Sequence, residues 1–476
     1  MWSSVCPRRQ GWSSGHSLPD EAPNTVDTLH ALSSDLPSVE YAARLPRGFR
    51  AGAATAGVKK SGRPDLSVVV VDSRAGSVAA TFTPNRFASA PVLLSKAHLA
   101  TVDPAGAGRY GRTAALLSVS GCANAATGDA GMDDQRRLAD VLGAAIGVPA
   151  DQTLAVATGM IGPRYPMERI EPALARLVAD GLTASDDAFV AVAEALRTTD
   201  SKAKWATAVV ELADVDGTLR RVTVSGVAKG VGMIHPRMAT MLAYLLTDAD
   251  VDPADLSRML RPIVARTWDQ LSVDGDTSTS DTVFLVTSGA AGAARVTTGS
   301  AAWAVLSGAV EAVARSLARQ QAADGEGATS LLTCQVSGAA DDADARAAAR
   351  AVVSSSLVKA AIHGRDPNWG RIADALGNAQ LADAAVLEAA GLSTEEAARR
   401  GGSRLDLDPD AVRIAIAGIE VFRGIPIDFD AAAVSAAMDT EEIVVRVDLG
   451  SGPGTGEAFG CDLTEAYVRE NSEYST

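Results

Sequence analysis

Short apolar runs and helically spaced apolar positions fill almost the whole chain beyond residue 44. Four valines run between Ser67 and Asp72, which predicts a strand buried on both faces. Residues 77–82 predict its partner, and residues 85–94, where apolar and polar positions alternate, predict a further strand. Short apolar runs recur at residues 114–119 and 154–156. Apolar positions every three to four residues predict helices over 133–146, 167–180 and 186–196. Residues 205–212 and 219–227 predict a strand pair closed by a turn over 214–217. An apolar run after residue 240 precedes a helix over 253–268. A long Ala-rich helix covers 301–321, a strand 331–336 and a helix 342–354. From about 380 the pattern is Ala-rich helix, strand (412–421), helix (430–438) and strand (443–449). Strands and helices mixed in this way predict the α/β class, layered in the α+β manner.

Residues 1–43 differ. Ser, Pro, Asp and His mix without periodicity, the pattern of a disordered extension. Its first part, through His16, carries Arg8, Arg9 and several serines but no acid, as a transit peptide would. Asp20 and Glu21 follow and no amphipathic stripe forms, so a poorly ordered extension is expected.

The 476 residues suffice for a large core and more than one structural unit. A net charge of −15 argues against a nucleic-acid partner, which needs clustered Lys and Arg. No uninterrupted apolar run approaches about 18 residues, so no membrane span is expected. Cys6, Cys122, Cys334 and Cys461 are far apart, with no metal-ligand spacing, so reduced cytoplasmic thiols and no metal are expected. Gly106-Ala-Gly-Arg-Tyr-Gly111 spells a dinucleotide fingerprint in the wrong place, after a Pro-containing loop and before a strand. Asp274-x-Asp276-x-Ser278 begins like a calcium loop, but Gly at its sixth position and a carboxylate at its twelfth are missing.

Candidate chemistry centres on Lys229-Gly-Val-Gly-Met-Ile-His-Pro-Arg-Met-Ala-Thr-Met-Leu242. Gly230 and Gly232 loosen the backbone and Pro236 stiffens it, just before Ala239 and Thr240. A Thr hydroxyl is a weak nucleophile without a base, and an N-terminal Thr supplies one in its own α-amine. That amine has a reference pKa of about 7.7–8.0. Cutting Ala239–Thr240 would therefore release a nucleophile. By pattern alone the segment reads as a Gly-rich turn leading into a buried strand or helix. Ala157-Thr-Gly-Met-Ile-Gly162 reads as a turn too, though a Thr-Gly pair at a strand end can aim a hydroxyl and an N–H at one point, as an oxyanion hole needs.

The Lys229–Leu242 wording resembles the self-cleavage segment of the ornithine acetyltransferase family, the bifunctional glutamate N-acetyltransferases of arginine biosynthesis. Further motifs in the same order carry the resemblance over roughly residues 44–476. They are Thr83-Pro-Asn-Arg-Phe87, Thr158-Gly159, Thr198-Thr-Asp200, Val273-Asp-Gly-Asp-Thr-Ser-Thr-Ser-Asp281 and Asp366-Pro-Asn-Trp-Gly-Arg371. The resemblance implies the N-terminal-nucleophile architecture, cut into an α part (44–239, after the extension) and a β part (240–476) with a smaller α+β domain from about 335. It implies Thr240 as nucleophile, Thr158 and Gly159 as oxyanion hole, and Thr198, Lys229, Thr240, Glu326, Asn471 and Thr476 as substrate contacts. It implies acetyl transfer from N-acetylornithine to glutamate in the cytoplasm, without a cofactor, with two α and two β parts assembled together, and leaves open whether acetyl-CoA is also a co-substrate. Asp366, Asn368 and Arg371 around Trp369 read instead as a structural network. Val119, Cys122, Ser280 and Ser330 depart from the family's spelling. They leave open a related acyltransferase of secondary metabolism with another donor or acceptor, or a binding protein that keeps the fold without the reaction.

Overall fold

The computed structural model describes residues 36–72, 75–235 and 241–472. Three sheets carry the chain. A six-stranded sheet has the order β4-β3-β11-β9-β8-β7, formed by Tyr110–Thr113 (β4), Gly76–Phe82 (β3), Thr282–Thr287 (β11), Leu242–Thr247 (β9), Leu219–Lys229 (β8) and Lys204–Ala213 (β7). A four-stranded sheet has the order β1-β2-β5-β6, from Phe49–Ala54 (β1), Leu66–Val71 (β2), Ala115–Cys122 (β5) and Thr153–Met160 (β6). The third sheet runs β10-β17-β12-β16-β13-β14-β15. Its strands are Leu271–Ser272 (β10), Gly454–Cys461 (β17), Leu331–Ala339 (β12), Glu442–Asp448 (β16), Arg413–Ile416 (β13), Ile419–Arg423 (β14) and Ile425–Pro426 (β15).

Strand alternation explains the layering. On β9, Leu242, Tyr244 and Leu246 share a core with Val69, Leu116 and Val156 of the four-stranded sheet. Ala243 and Leu245 share another with the helices Pro253–Arg266 and Ala301–Ala323. The Tyr244 hydroxyl donates to the Leu117 carbonyl on β5 at 3.3 Å, so the two sheets face each other directly. Val68, Leu117 and Ala155 pack outward on the helices Gly128–Ile146 and Met167–Asp180. The result is helix, sheet, sheet, helix, with Asp186–Leu196 wedged into the middle core through Phe189 and Val192. Strands buried on both faces show continuous apolar runs, as β2 does.

Several expectations need correction. β2 does not pair with β3. β2 lies between β1 and β5, and β3 between β4 and β11, because each sheet takes one of two neighbouring apolar runs. Residues 85–94 are not a strand. They lead into the helix Ala90–Val102, which starts after Ser89 with Pro in its first turn and buries Val92, Ser95 and Leu99. Residues 412–421 form a hairpin, β13–β14, because Ala417 and Gly418 both take positive φ (49° and 84°), the geometry a two-residue turn needs. β11 and β17 carried no expectation. In β17 glycines mask the pattern: a Cβ on Gly454 or Gly456 would lie 2.2 Å or 2.7 Å from backbone at the start of the helix Asp342–Ser354.

Of the expected extension, residues 1–35 lie outside the described residues. Within residues 36–43, the Glu40 and Thr207 backbones exchange two hydrogen bonds, 2.7 and 3.0 Å, along β7. The helix Ala301–Ala323 is long and apolar enough to cross a membrane by length and composition, although Glu311, Arg315 and Arg319 interrupt its apolar run. It is a core helix here: Leu306, Val310, Val313 and Leu317 are buried, and Arg315 and Arg319 pair with Glu457 and Glu442. Trp369 stacks on Phe422 at 4.7 Å, Asn368 caps its own helix, and Arg371 donates to the Leu357 carbonyl at 2.8 Å, a structural network.

Leu245→Ala should destabilise the protein by about 2–5 kcal/mol through the cavity it leaves. Leu219→Ala, at the exposed start of β8, should change stability by less than about 0.5 kcal/mol. Urea unfolding of both variants reads the difference.

Candidate active site

β8 ends at Lys229, which pairs with Leu242 at the start of β9. β9 runs parallel to β11, with Leu242 opposite Thr282, and the Thr282 N–H donates to the Met241 carbonyl at 2.8 Å. Lys229, Met241 and Asp281 therefore stand together at one end of the six-stranded sheet. Across from them β6 ends at Thr158–Met160. Lys229 Nζ donates to Thr158 Oγ1 at 3.2 Å, which bridges the two sheets. A cavity of about 340 Å³ opens at this bridge. Thr158, Gly159, Thr198, Lys229, Glu326 and Asn471 all line it. Ala239, Thr240 and Thr476 lie outside the described residues.

Local backbone explains several of these positions. Gly159 has φ +124° at an irregularity between β5 and β6, and a Cβ there would lie 2.3 Å from the Gly121 carbonyl carbon. Only glycine fits so close an approach. Gly232 faces Glu326 just as closely: a Cβ would lie 2.1 Å from Oε2.

The site is charged, and its charged side chains are buried. Burial pushes the Lys229 ammonium down; Asp200 opposes this, Lys204 adds to it, and Glu326 and Asp281 oppose it. Asp200 is also buried, which alone would raise its pKa. Lys204 and Lys229, with hydrogen bonds from Lys204 and Gly230, outweigh burial and hold it well below the carboxylate range. Asp200 Oδ1 accepts from Lys204 Nζ at 2.7 Å and from the Gly230 N–H at 2.9 Å, while Oδ2 accepts from the Thr198 N–H at 3.1 Å. It thus ties the Thr198 turn to the segment after β8. A Thr-Thr-Asp turn predicts local hydrogen bonds, as Asp200 makes to Thr198, but not its buried links to Lys204 and Gly230. Thr199 was also missed: it lines the cavity and donates to Glu326 Oε1 at 2.7 Å.

Glu326 is held from three directions. Its N–H donates to the Val231 carbonyl at 2.8 Å, and Oε2 accepts from Asn471 Nδ2 at 2.9 Å. The glycines on either side admit the C-terminal arm. A Cβ on Gly325 would meet Cys461 Sγ at 2.6 Å, and one on Gly327 (φ +67°) would meet the Tyr467 nitrogen at 2.3 Å. Asp462 clasps the same loop: it accepts from the Thr329 N–H (2.7 Å), the Thr329 hydroxyl (2.6 Å), the Ser330 N–H (3.1 Å) and His363 Nδ1 (2.9 Å).

The segment 273–281 frames the chain entering residues 236–240. Asp274 accepts from the Met233 and Ile234 N–H groups, and Ser278 to Asp281 line the cavity. Thr83 Oγ1 donates to the Ser278 carbonyl at 2.7 Å and Asn85 Nδ2 to the Thr277 carbonyl at 3.0 Å, which accounts for the Thr-x-Asn spelling. Of the departures from the family spelling, only Ser280 reaches the cavity. Val119 and Cys122 belong to the outer core, and Ser330 is held by Asp462. Among the described residues no cluster of His, Cys, Asp or Glu is arranged to hold a metal, and Cys122, Cys334 and Cys461 are buried free thiols.

A sequence model of the ArgJ family matches residues 50–476. The chain belongs to the ArgJ family. The arginine biosynthesis bifunctional protein ArgJ of Thermus thermophilus is 43% identical over 435 residues, covering 91% of this chain and 100% of its own length. The ArgJ protein of Deinococcus radiodurans is 39% identical over 445 residues, covering 94% and 100%. Among solved structures, the argJ protein of Bacillus halodurans is 35% identical, with a TM-score of 0.41 over 47% of this chain and 95% of that one. The ornithine acetyltransferase of Mycobacterium tuberculosis, complexed with ornithine, is 32% identical, with a TM-score of 0.36 over 42% and 96%.

Lys59 lies behind this cavity, its Nζ donating to the Pro64 and Ala195 carbonyls at 2.6 and 2.8 Å. Burial, then Arg63, lower its pKa from 10.5 to about 8, against Asp65. Between those values the unfolded chain binds more protons, so stability should rise with pH across that window. Lys59→Met should flatten the rise, as measured by urea unfolding from pH 8 to 10.

Proposed function

We propose that the chain is a self-cleaving acetyltransferase of arginine biosynthesis that moves acetyl from N2-acetylornithine to glutamate through Thr240. The observation that carries this reading is the convergence of six residues, from five separate segments, on one cavity beside Met241, the residue after Thr240.

In the first reaction the Thr240 hydroxyl attacks the Ala239 carbonyl. The C–N bond breaks as the C–O ester forms, and the proton passes to the Thr240 nitrogen. Water then splits the ester, leaving Ala239 with a carboxylate and Thr240 with a free amine. That amine takes the hydroxyl proton when Thr240 attacks the acetyl carbonyl of N-acetylornithine. The Thr158 hydroxyl and the Gly159 N–H receive the developing oxyanion. Ornithine leaves with the proton, and acetyl rests on Thr240. Glutamate's amine attacks this ester, and N-acetylglutamate departs with Thr240 regenerated. Glu326 suits the substrate ammonium, and Lys229 suits a substrate carboxylate. Lys229 also holds the Thr240 amine neutral by like-charge repulsion.

Thr198, Asn471 and Thr476 complete the substrate contacts. The acetyl group rests on Thr240, so no bound coenzyme is required, and any acetyl-CoA that the site admits as donor would enter through the same acetyl-enzyme. Two α and two β parts assemble, and the enzyme works in the cytoplasm. A secondary-metabolic acyltransferase is less well supported, because three of the four departures lie away from the cavity.

Intact-mass measurement should find two fragments, the second beginning at Thr240, and Thr240→Ala should remain one 48.7 kDa species. Initial rates should give parallel lines in double-reciprocal form, and intersecting lines would exclude the acetyl-enzyme. Glu326→Gln should raise KM for glutamate roughly 10–100-fold, the value of a charge-assisted hydrogen bond, with cleavage intact.

A further inference from the structure

A second cavity, of about 130 Å³, lies where the helix Asp342–Ser354 meets the end of the helix Pro253–Arg266 and the turn Trp268–Gln270. One water needs only about 10–15 Å³. Arg346 and Arg350, one turn apart on the same helix face, line it with Gln270 and Asp383. Asp383 is committed to capping its own helix through the Val386 N–H at 3.1 Å, and Arg350 Nη1 donates to the Asp269 carbonyl at 2.8 Å. The Arg346 guanidinium makes no hydrogen bond or ion pair with any described residue, although burial pushes its pKa down against the charge of Asp342. Gln270 is 5% exposed. Its Nε2 donates to the Ala265 carbonyl at 3.1 Å, which sets the orientation of the amide. Gln270 Oε1 is then a buried acceptor with no partner among the described residues. A buried carbonyl oxygen without a partner is costly unless a ligand supplies a donor, and the half-buried Arg346 guanidinium in the same cavity wall can take an anion.

We propose that this cavity binds a small carboxylate that also carries an N–H donor, the chemistry of a free α-amino acid. The carboxylate sits on Arg346 and the ammonium donates to Gln270 Oε1. The site is separate from the catalytic cavity but connected to it. Gln270 is two residues from Trp268, whose indole N–H donates to Gln321 at 2.8 Å, and Gln321 donates to the Lys229 carbonyl at 2.8 Å. A ligand on Gln270 therefore bears on the turn that supports Lys229.

Calorimetric titration of the full chain with glycine, and separately with sodium acetate, tests this. Glycine should saturate and bind about tenfold more tightly than acetate, the value of one hydrogen bond from a charged donor. Arg346→Met should weaken both probes at least about tenfold. Gln270→Leu should remove glycine's advantage while leaving acetate unchanged, and it decides the matter if Arg346→Met does not fold. Lys229→Met should leave glycine binding intact. Several outcomes would each overturn the proposal. They are absence of saturable glycine binding, binding that survives Arg346→Met, binding lost in Lys229→Met, and displacement by equimolar chloride, which would make this a site for any small anion.

Discussion

Backbone pairing between β8 and β9 is the constraint on which the rest depends. Six residue pairs, from Val224–Thr247 to Lys229–Leu242, hold the two strands together on both sides of the segment that joins them. A chain cut within that segment keeps both ends in register, because their partners lie in a sheet and not in the linker. The proposed cleavage therefore releases an amine without releasing the strand that carries it. β11 adds a second restraint, since Thr282 pairs with Leu242 and holds the Met241 carbonyl.

Lys229 turns this framework into a site. It is the last residue of β8, and its ammonium reaches Thr158 on the facing sheet. A cation in that gap needs compensation, and Asp200, Glu326 and Asp281 supply it from three separate segments. The same acids order their own surroundings: Asp200 fixes the Thr198 turn, and Glu326 gathers Thr199 and Asn471. Charge compensation and the proposed substrate recognition thus share Lys229 and Glu326.

The third sheet contributes through its last strand. β17 delivers Asp462, which clasps the loop bearing Glu326, and the arm beyond it delivers Asn471. The glycines beside Glu326 read as loop flexibility in isolation. In the fold they are the space that the arm occupies.

Periodicity by itself determined most of the elements: the helices Met167–Asp180 and Asp186–Leu196, the β7–β8 pair and the long helix Ala301–Ala323 all follow from spacing in the chain. Family spelling marked six described residues that prove to share one cavity. Local pattern could not decide which strands pair. β2 and β3 are equally apolar neighbours, and only the stacking of two sheets, each needing both faces covered, assigns them to different ones. Nor could it reveal β17, whose glycines answer to a helix packed from more than a hundred residues away. Thr199, Asp462, the Asp200–Gly230 contact and the Arg346–Gln270 cavity also belong to the tertiary structure alone, because each joins partners distant in sequence. A hydrogen bond between distant segments leaves no period in the chain.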